Sequence, residues 1–379
     1  MNSKKSCISA LTDDLVVNIL SRLPLKSFCL IKCVCKSWAI LSTDNYFCTK
    51  LLPRTPAGLL YQDNDSSLIQ IARIPSGNSE IETSLGFMPH HQNVKLVDCS
   101  NGLILLTHGS KSDSLDAVHF IVCNPATQEW IALPDTRPRL DGSDYVSMLA
   151  FNPSSSPCFY VFNFQKRIFP DSGGFVITEV EIFSSQDFNW IVYGGFETEI
   201  MMIPMPHVLL HGTLYLQTVE HCVFAIEVPD MYTPYRTFEL PGISCPMNNY
   251  IWGCLSESSG MLQYAQPNFD GCWLQIWRFN IRTEQWNKTH SPSMIDAFGR
   301  DVFVHGHPFG NDWSEDYGMM SFDLEREIVF LRDHVSGKVL SYSIRTGKLS
   351  EIGDLPRNPL YYVPYWHKFP PVEEEQTWW

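Results

Sequence analysis

Histidines are the residues of this chain whose spacing comes nearest to that of a metal site. His305 and His307 are separated by one glycine, and His90 and His91 are adjacent. Imidazole nitrogens in such pairs can bind a metal ion, but histidines are also ordinary residues of loops and surfaces. The sequence contains no Gly-rich phosphate loop, no nucleophile elbow and no metal-binding His-Glu helix. We therefore expect neither a metal site nor a cofactor.

Neighbouring carboxylates are the second feature that could do chemistry, since general acid–base catalysis uses them in pairs. The pairs are Asp13 with Asp14, Glu315 with Asp316, and Asp323 with Glu325. Each pair lies where a helix start or a turn is predicted, and acids are common at such positions. We expect no catalytic residues and predict that the chain is not an enzyme.

The cysteines do not form a metal-binding pattern either, although the chain has 12 of them. Cys33 and Cys35 are one residue apart, which is closer than the two-residue spacing of zinc-binding pairs. Seven others stand alone in the sequence: Cys99, Cys123, Cys158, Cys222, Cys245, Cys254 and Cys272. In a reducing compartment such residues behave as small buried apolar side chains.

Charge and hydropathy exclude several classes of function. With 27 basic and 41 acidic residues, the formal net charge is −14, which argues against nucleic-acid binding and against an anionic membrane surface. The N-terminal residues lack the apolar run of a signal peptide, and no segment reaches the roughly 18 apolar residues of a membrane span. We expect a soluble intracellular protein that resides in the nucleus, the cytoplasm or both.

From Gly58 onward the sequence predicts an all-β domain. Short apolar segments alternate with turn residues, and none shows a long helical period. The clearest predicted strands cover residues 58–61, 68–72, 120–123, 158–162 and 274–277.

Two weak repeats organise this all-β part. The first is a turn followed by an aromatic or apolar residue, at 124–130, 184–190, 280–286 and 343–349. Its tryptophans, Trp130, Trp190 and Trp286, are predicted to pack between structural repeats. Four other tryptophans do not belong to this repeat, and some of them could anchor a binding partner on the surface of the domain. They are Trp252, Trp273, Trp277 and Trp313.

The second repeat is a glycine at the start of a strand, at Gly102, Gly212 and Gly260. The two kinds of hairpin alternate at roughly 40 to 60 residues, which is the period of a β-propeller blade. The expected outer turns lie near Asn64, Ala126, Gln186, Asp230, Arg282 and Arg345. We therefore predict a propeller of about six blades, in which residues 360–365 supply the strand that closes the ring.

The N-terminal part is helical by its apolar period. Leu11, Leu15, Ile19, Leu20 and Leu23 lie on one helical face, and Pro24 ends the helix. A second group of apolar residues follows as far as Leu41. A module of about 40 residues cannot bury so much apolar surface by itself. It packs either on the rest of the chain or on a partner, and the period does not decide between the two.

This stretch resembles an F-box. The matching residues are Leu11, Asp14, Leu15, Ile19, Leu20, Arg22, Leu23, Pro24, Lys26, Ser27 and the run Cys33-Val34-Cys35-Lys36-Ser37-Trp38. The closing run is typical of plant members. Two positions depart from the pattern: Thr12 replaces a usual proline, which leaves open a weaker adaptor contact, and Leu30 replaces a frequent arginine.

The segment from Asn124 to Pro134 resembles the F-box-associated domain of plant F-box proteins, which is a kelch-related propeller. The two resemblances imply an α plus all-β chain with a three-helix F-box at 5–52, a linker at 53–56, a propeller at 57–369 and an acidic tail at 370–379.

The resemblance implies a receptor subunit of a Skp–cullin–F-box ubiquitin ligase. Its partners would be a Skp-type adaptor, through it cullin and RING subunits, and an unidentified target protein held by the propeller. The adaptor-binding residues would be Leu11, Leu15, Ile19, Leu20, Leu23, Pro24, Val34 and Trp38. Two other interpretations stay open: an interaction scaffold outside any ligase, and a carbohydrate-binding or hydrolytic propeller.

Overall fold

The computed structural model describes residues 15, 16, 19 and most of 58–369. Within that range the gaps are 64–67, 75–84, 90, 109–116, 139–142, 169–174, 195–201, 219, 229–234, 243–252, 269, 303–315, 357 and 368. Residues 15, 16 and 19 have helical backbone. The rest of the predicted three-helix module and the acidic tail lie outside the described residues.

Among the described residues, twenty-three strands form six sheets. Blade I consists of β1 (Gly58–Gln62), β2 (Ile69–Arg73) and β23 (Leu360–Tyr362). Blade II consists of β3 (Val94–Ser100), β4 (Leu103–His108), β5 (Phe120–Asn124) and β6 (Glu129–Ala132). Blade III consists of β7 (Ser143–Phe151), β8 (Phe159–Ile168), β9 (Phe175–Ser184) and β10 (Asn189–Gly194).

Blades IV to VI have the same four-stranded order. Blade IV consists of β11 (Met202–Leu210), β12 (Thr213–Thr218), β13 (Cys222–Glu227) and β14 (Arg236–Glu239). Blade V consists of β15 (Cys254–Ser258), β16 (Met261–Pro267), β17 (Leu274–Asn280) and β18 (Gln285–His290). Blade VI consists of β19 (Tyr317–Asp323), β20 (Ile328–Asp333), β21 (Val339–Ser343) and β22 (Lys348–Gly353).

The six sheets form a six-bladed β-propeller, as the sequence predicts. The innermost strand is the first strand in blades II to VI and β23 in blade I. These inner strands lie beside one another and run parallel around the ring. Between β15 and β19, for example, the contacts keep a constant separation of 66 residues, from Cys254 to Met320, Ser256 to Phe322 and Ser259 to Glu325.

The ring is closed by the C-terminal strand. β23 pairs antiparallel with β1, with Gly58 opposite Tyr362 and Leu60 opposite Leu360. This confirms the predicted closing strand. Blade I is therefore built from both ends of the propeller sequence, and the predicted hairpin near Asn64 joins β1 to β2, the outermost strand of this sheet.

The repeated turns have a common backbone geometry. Asn101–Gly102, His211–Gly212 and Ser259–Gly260 each have two consecutive positive φ angles, the signature of a tight type I′ hairpin. In the turn-and-tryptophan frame the fifth residue has a positive φ in every copy, at Gln128, Phe188, Glu284 and Gly347.

Because neighbouring strands are antiparallel, these turns all lie at one end of the ring, which we call the turn face. The opposite end, which we call the loop face, carries the connections between second and third strands and those between successive blades. Gly58, the first described residue of the propeller, lies at the turn face because it pairs with Tyr362 near Gly102.

Apolar clusters between adjacent blades form the core. One cluster joins Phe162 and Phe164 of blade III to Leu214 and Leu216 of blade IV. The repeat tryptophans add polar ties, since Trp190 Nε1 donates to the Pro134 carbonyl at 2.7 Å and Trp286 Nε1 donates to that of Glu239 at 3.0 Å. Both bonds join one blade to the previous one, which confirms the predicted packing role.

Helix is scarce in the described part of the propeller. A short 3₁₀ turn covers His91–Asn93, and the helix α1 covers Met294–Phe298 at the loop face. Ser293 caps α1 by accepting a hydrogen bond from the Asp296 N–H, and Gly299 ends it with φ of 63°. Among the described residues, no helix is both long and apolar enough to cross a membrane.

Candidate functional site

Of the eight predicted adaptor-binding residues, the structure describes Leu15 and Ile19. Their side chains are exposed, at 52% and 49%, whereas the adjacent Val16 is 5% exposed. Residues four apart lie on the same side of a helix. Leu15 and Ile19 therefore present apolar surface to solvent, while Val16 points into the protein. Leu11, Leu20, Leu23, Pro24, Val34 and Trp38 lie outside the described residues.

The propeller provides a second candidate site, a cavity of about 1060 Å³ along its central axis. It is lined by the inner strands and by the chain after β23, including Asp98, His207, Ser256, Arg326 and Trp366. The lining combines acidic, basic and aromatic side chains.

A buried carboxylate–imidazole pair forms part of the cavity wall. Asp98 is 2% exposed and accepts hydrogen bonds from the N–H groups of Leu149 at 2.6 Å and Cys99 at 2.7 Å. His207 Nε2 lies 3.4 Å from Asp98 Oδ2 and 2.8 Å from the Leu149 carbonyl oxygen. Since a carbonyl only accepts, Nε2 carries a proton and donates to it. The group joins the inner strands of blades II, III and IV.

The electrostatics of this pair follow from its burial. Desolvation raises the pKa of Asp98, and the opposing effects of His207 and the two backbone N–H groups are smaller. His207 Nδ1 is buried and has no hydrogen-bond partner in the described part of the structure.

A second polar cluster lies at the turn-face end of the cavity. The Asp323 carboxylate forms an ion pair with Arg326 and accepts a hydrogen bond from the Tyr361 hydroxyl at 2.8 Å. Burial, and after it the Asp323 charge, raise the pKa of Tyr361 far above its usual value. Tyr361 therefore stays a donor, and the cluster fastens β23 to blade VI.

Two serine hydroxyl groups of the cavity wall are also used for structure. Ser100 Oγ donates to the Phe151 carbonyl at 3.2 Å, and Ser256 Oγ donates to that of Phe322 at 2.7 Å. These protons go to neighbouring inner strands instead of a histidine or a carboxylate. The arrangement is that of a packed wall that offers a binding surface.

The structure describes only some of the side chains that the sequence offers as candidates for metal binding or acid–base chemistry. The side chains of His90, His91, His305 and His307, and Asp13, Asp14 and Glu315, lie outside the described part. Asp316 and Asp323 are held in ion pairs with Arg300 and Arg326, and Glu325 accepts from the Ser259 N–H. Glu325 lies in the turn after β19, as predicted, whereas Asp323 is the last residue of β19. Among the described residues, no group of three or more His, Cys, Asp or Glu is placed to hold a metal ion.

The cysteines agree in part with the prediction of buried apolar side chains. Cys123 and Cys254 are buried, and burial raises the pKa of Cys123 to about 12. Cys99, Cys158, Cys222 and Cys272 are partly exposed, and all six described cysteines are free thiols.

The tryptophans outside the repeat frame separate into two kinds. Trp277 is 6% exposed and stacks on Tyr264 at 5.9 Å between ring centroids, so it belongs to the core. Trp273 is 46% exposed at the loop face. Trp252 and Trp313 lie outside the described residues. Sequence reasoning did not find the Asp98–His207 pair, since nothing in the local sequence joins two residues so far apart.

Two family models match the chain. The model described as F-box protein At3g26010-like, beta-propeller, matches residues 78–354, and the F-box domain model matches residues 8–50. The two matches follow one another in the order that the sequence predicts.

Curated relatives come from Arabidopsis thaliana. The chain is 29% identical to F-box protein At5g49610 over 302 residues, which cover 74% of this chain and 79% of the relative. It is 26% identical to F-box protein At5g07610, with 50% of this chain and 46% of the relative covered. It is 33% identical to F-box protein At3g20690 over 33% of this chain and 38% of the relative.

Solved structures show more distant likenesses. A nidogen/laminin complex matches with a TM-score of 0.41 and 11% identity, covering 80% of this chain and 95% of that one. The GH32 beta-fructofuranosidase BmSUC1 of Bombyx mori matches with a TM-score of 0.36 and 9% identity, covering 68% and 61%. Similarities this weak carry no functional argument.

Proposed function

The chain belongs to the F-box protein At3g26010-like β-propeller family, and from this membership we propose that it is the substrate-recognition subunit of a Skp–cullin–F-box ubiquitin ligase. The F-box binds a Skp-type adaptor, which connects the chain to cullin and RING subunits. The propeller binds a target protein. We also propose a kinship with kelch propellers, which the repeated turn-and-tryptophan hairpin supports.

The observation that carries this proposal is the F-box match at residues 8–50 directly before the propeller. The exposure of Leu15 and Ile19 beside the buried Val16 supports it, because an adaptor-binding helix needs an apolar face directed away from its own domain. These two residues, with Leu11, Leu20, Leu23, Pro24, Val34 and Trp38, are the proposed adaptor contacts.

In this role the chain contributes proximity. A target held on the propeller meets the ubiquitin-conjugating enzyme at a high effective concentration, so its lysines react without any catalytic group of this chain. Residues 53–56, with two prolines, form the proposed stiff connection between the adaptor and the target.

Co-purification of the full chain with a Skp-type adaptor tests the proposal. We compare the wild type with the double variant Leu15→Asp, Ile19→Asp. Leaving unpaired charges in an interface costs about 3–5 kcal/mol, and this corresponds to a loss of affinity of more than about a hundredfold. The wild type is expected to retain the adaptor, and the double variant is expected to lose it.

A matched control places the same charges on exposed apolar residues of the propeller. Ile191 and Ile281 are 44% and 42% exposed, so Ile191→Asp, Ile281→Asp changes the net charge equally. This control is expected to keep the adaptor, and circular dichroism of all three proteins verifies the fold. If the folded wild type does not bind the adaptor, the ligase proposal is wrong.

A further inference from the structure

Three large apolar side chains are exposed together on the loop face of blades V and VI. Trp273, in the connection between β16 and β17, is 46% exposed. Ile295 in α1 is 41% exposed, and Val335 in the turn between β20 and β21 is 66% exposed. Exposed apolar groups that lie together on a folded protein mark interaction sites more often than isolated ones do.

Backbone hydrogen bonds hold Trp273 and α1 side by side. Trp273 forms an isolated antiparallel bridge with Ser293, the N-cap of α1. On either side of that bridge, the Leu274 N–H donates to the Pro292 carbonyl at 3.0 Å and the Met294 N–H donates to that of Cys272 at 2.8 Å. Trp273 and Ile295 therefore belong to one rigid unit.

The same unit is fastened to blade VI. The Tyr317 hydroxyl donates to the Gly271 carbonyl at 2.7 Å. Arg300, just after α1, forms ion pairs with Asp316 at 2.5 Å and Asp333 at 2.6 Å. Asp333 also accepts a hydrogen bond from the Val335 N–H at 3.0 Å, so the turn that carries Val335 is fixed to α1 through one carboxylate. The surface is preorganised across two blades.

Acidic groups accompany these apolar side chains. Asp270 precedes Trp273 by three residues, Asp296 is exposed in α1, and Asp301 follows it. Asp270 Oδ1 accepts a hydrogen bond from the Cys272 N–H at 2.8 Å, so this carboxylate lies beside the base of Trp273. The neighbouring cations are engaged elsewhere: Arg300 by Asp316 and Asp333, Arg332 by backbone carbonyls, and Lys338 by Glu351.

We propose that this loop-face patch, made of Trp273, Ile295 and Val335 with Asp270, Asp296 and Asp301, is the surface on which the propeller binds its target. The partner is a polypeptide segment that carries lysine or arginine next to large apolar side chains. This inference rests on the proposed function, since it names the site and the chemistry of the target.

Physical complementarity determines this choice of partner. An exposed indole binds an ammonium or guanidinium group on its face and an aliphatic side chain along its edge. The surrounding carboxylates attract cations and repel an acidic segment. The patch also lies on the face opposite Gly58, the first described residue of the propeller.

Three fluorescein-labelled peptides of equal length test the proposal against the purified full chain by fluorescence anisotropy. The first alternates lysine and leucine with glycine spacers, the second replaces each lysine by glutamate, and the third replaces each leucine by serine. The lysine–leucine peptide is expected to bind at least about tenfold more tightly than either of the others. Equal binding of the lysine and glutamate peptides overturns the charge assignment.

Variants locate the binding on the protein. Trp273→Ala is expected to lower the affinity for the lysine–leucine peptide about tenfold. Ile295→Ala is expected to lower this affinity by a smaller factor. The turn survives Trp273→Ala because its bonds use the Trp273 backbone, with the N–H donating to Asn268 Oδ1 at 2.8 Å and the carbonyl accepting from the Asn268 N–H at 2.8 Å.

Ile281→Ala is the matched control, since Ile281 is equally exposed on the same blade but at the turn face. It is expected to leave peptide binding unchanged. If Trp273→Ala and Ile281→Ala have equal effects, the peptide binds by general attraction to an acidic protein, and the patch is not the site.

Adaptor co-purification with the same preparations separates this proposal from the proposed function. If the chain binds the adaptor but binds the three peptides equally, the proposed binding patch is wrong and the proposed ligase role is unaffected. A chain that binds the lysine–leucine peptide through Trp273 but does not hold the adaptor supports the patch and overturns the ligase role.

Discussion

Buried and half-buried charges in this propeller act as ties between elements. Asp98 connects three blades through backbone N–H groups and His207, Asp323 connects β23 to blade VI, and Asp333 connects α1 to the turn after β20. Each carboxylate has several donors, which offsets the free energy that its burial costs.

The contribution of the Asp333 carboxylate to the stability of the fold can be measured through its pH dependence. Burial alone would raise its pKa, but hydrogen bonds from Ser336 and the Val335 N–H and the charge of Arg300 outweigh burial, so its pKa is lowered from 3.8. A carboxyl with a lowered folded-state pKa stabilises the fold above its ordinary pKa, and that stability is lost as the pH falls through the folded-state value.

We expect Asp333→Asn to reduce the free energy of unfolding by about 1–2 kcal/mol near neutral pH. The difference from the wild type should begin to shrink as the pH falls below about 4, where the carboxyl of the unfolded chain takes up a proton, and should disappear below the lowered folded-state pKa. Urea unfolding of both proteins at a series of pH values measures it. If the difference in unfolding free energy stays constant at pH values below the ordinary pKa of an aspartate, Asp333 does not stabilise the fold through its charge.

At the residue scale the sequence predicts roles where a residue belongs to a repeat, and fails where two distant residues meet. Trp190 and Trp286 stand in the frame of a hairpin, so their packing between blades follows from their position. Asp98 and His207 are on different blades, and only the register of the closed ring brings them within 3.4 Å.

Turns are the elements that the sequence specifies most directly. The glycines that define the second repeat all have a positive φ, at 89° in Gly102, 77° in Gly212 and 71° in Gly260. The preceding residues Asn101, His211 and Ser259 also have positive φ, which the glycine pattern alone does not reveal. The predicted hairpin near Asn64 joins β1 to β2, the two outer strands of the sheet that β23 completes on its inner side.

Two of these glycines form a matched pair for a test. A Cβ added at Gly260 meets nothing within 4 Å, whereas one at Gly102 lies 2.4 Å from the Tyr365 nitrogen and 2.6 Å from the Val363 carbonyl oxygen. Gly260→Ala is expected to cost about 1–2 kcal/mol of unfolding free energy, the usual strain of a left-handed residue. Gly102→Ala is expected to cost roughly 3 kcal/mol or more, because it also displaces the chain after β23.

Denaturant unfolding of the two variants and the wild type measures both costs. Equal destabilisation would mean that the segment after β23 moves aside freely at Gly102. That result would contradict the close packing of this segment on the turn between β3 and β4.

The whole molecule depends on one closing strand. Without β23 the strand β1 would present an unpaired edge, and exposed strand edges promote aggregation. β23 removes the edge at β1, and its Leu360 and Tyr362 join an apolar cluster with Leu60, Ile104 and Leu106. The apolar run at 360–365 and the count of repeats were enough to predict this closure, whereas the position of each loop on the two faces required the full topology.

Removal of residues 358–379 is therefore expected to abolish cooperative folding of the propeller. The deletion takes away β23, the Tyr361 bond to Asp323 and the segment that covers Gly102. A matched deletion of residues 370–379, the predicted acidic tail, leaves β23 in place and should preserve the wild-type transition. Thermal unfolding followed by circular dichroism, with gel filtration to detect aggregates, compares the three chains. If the longer deletion still unfolds in a single transition at the wild-type midpoint, the ring does not need β23, and the stability of the propeller is local to each blade.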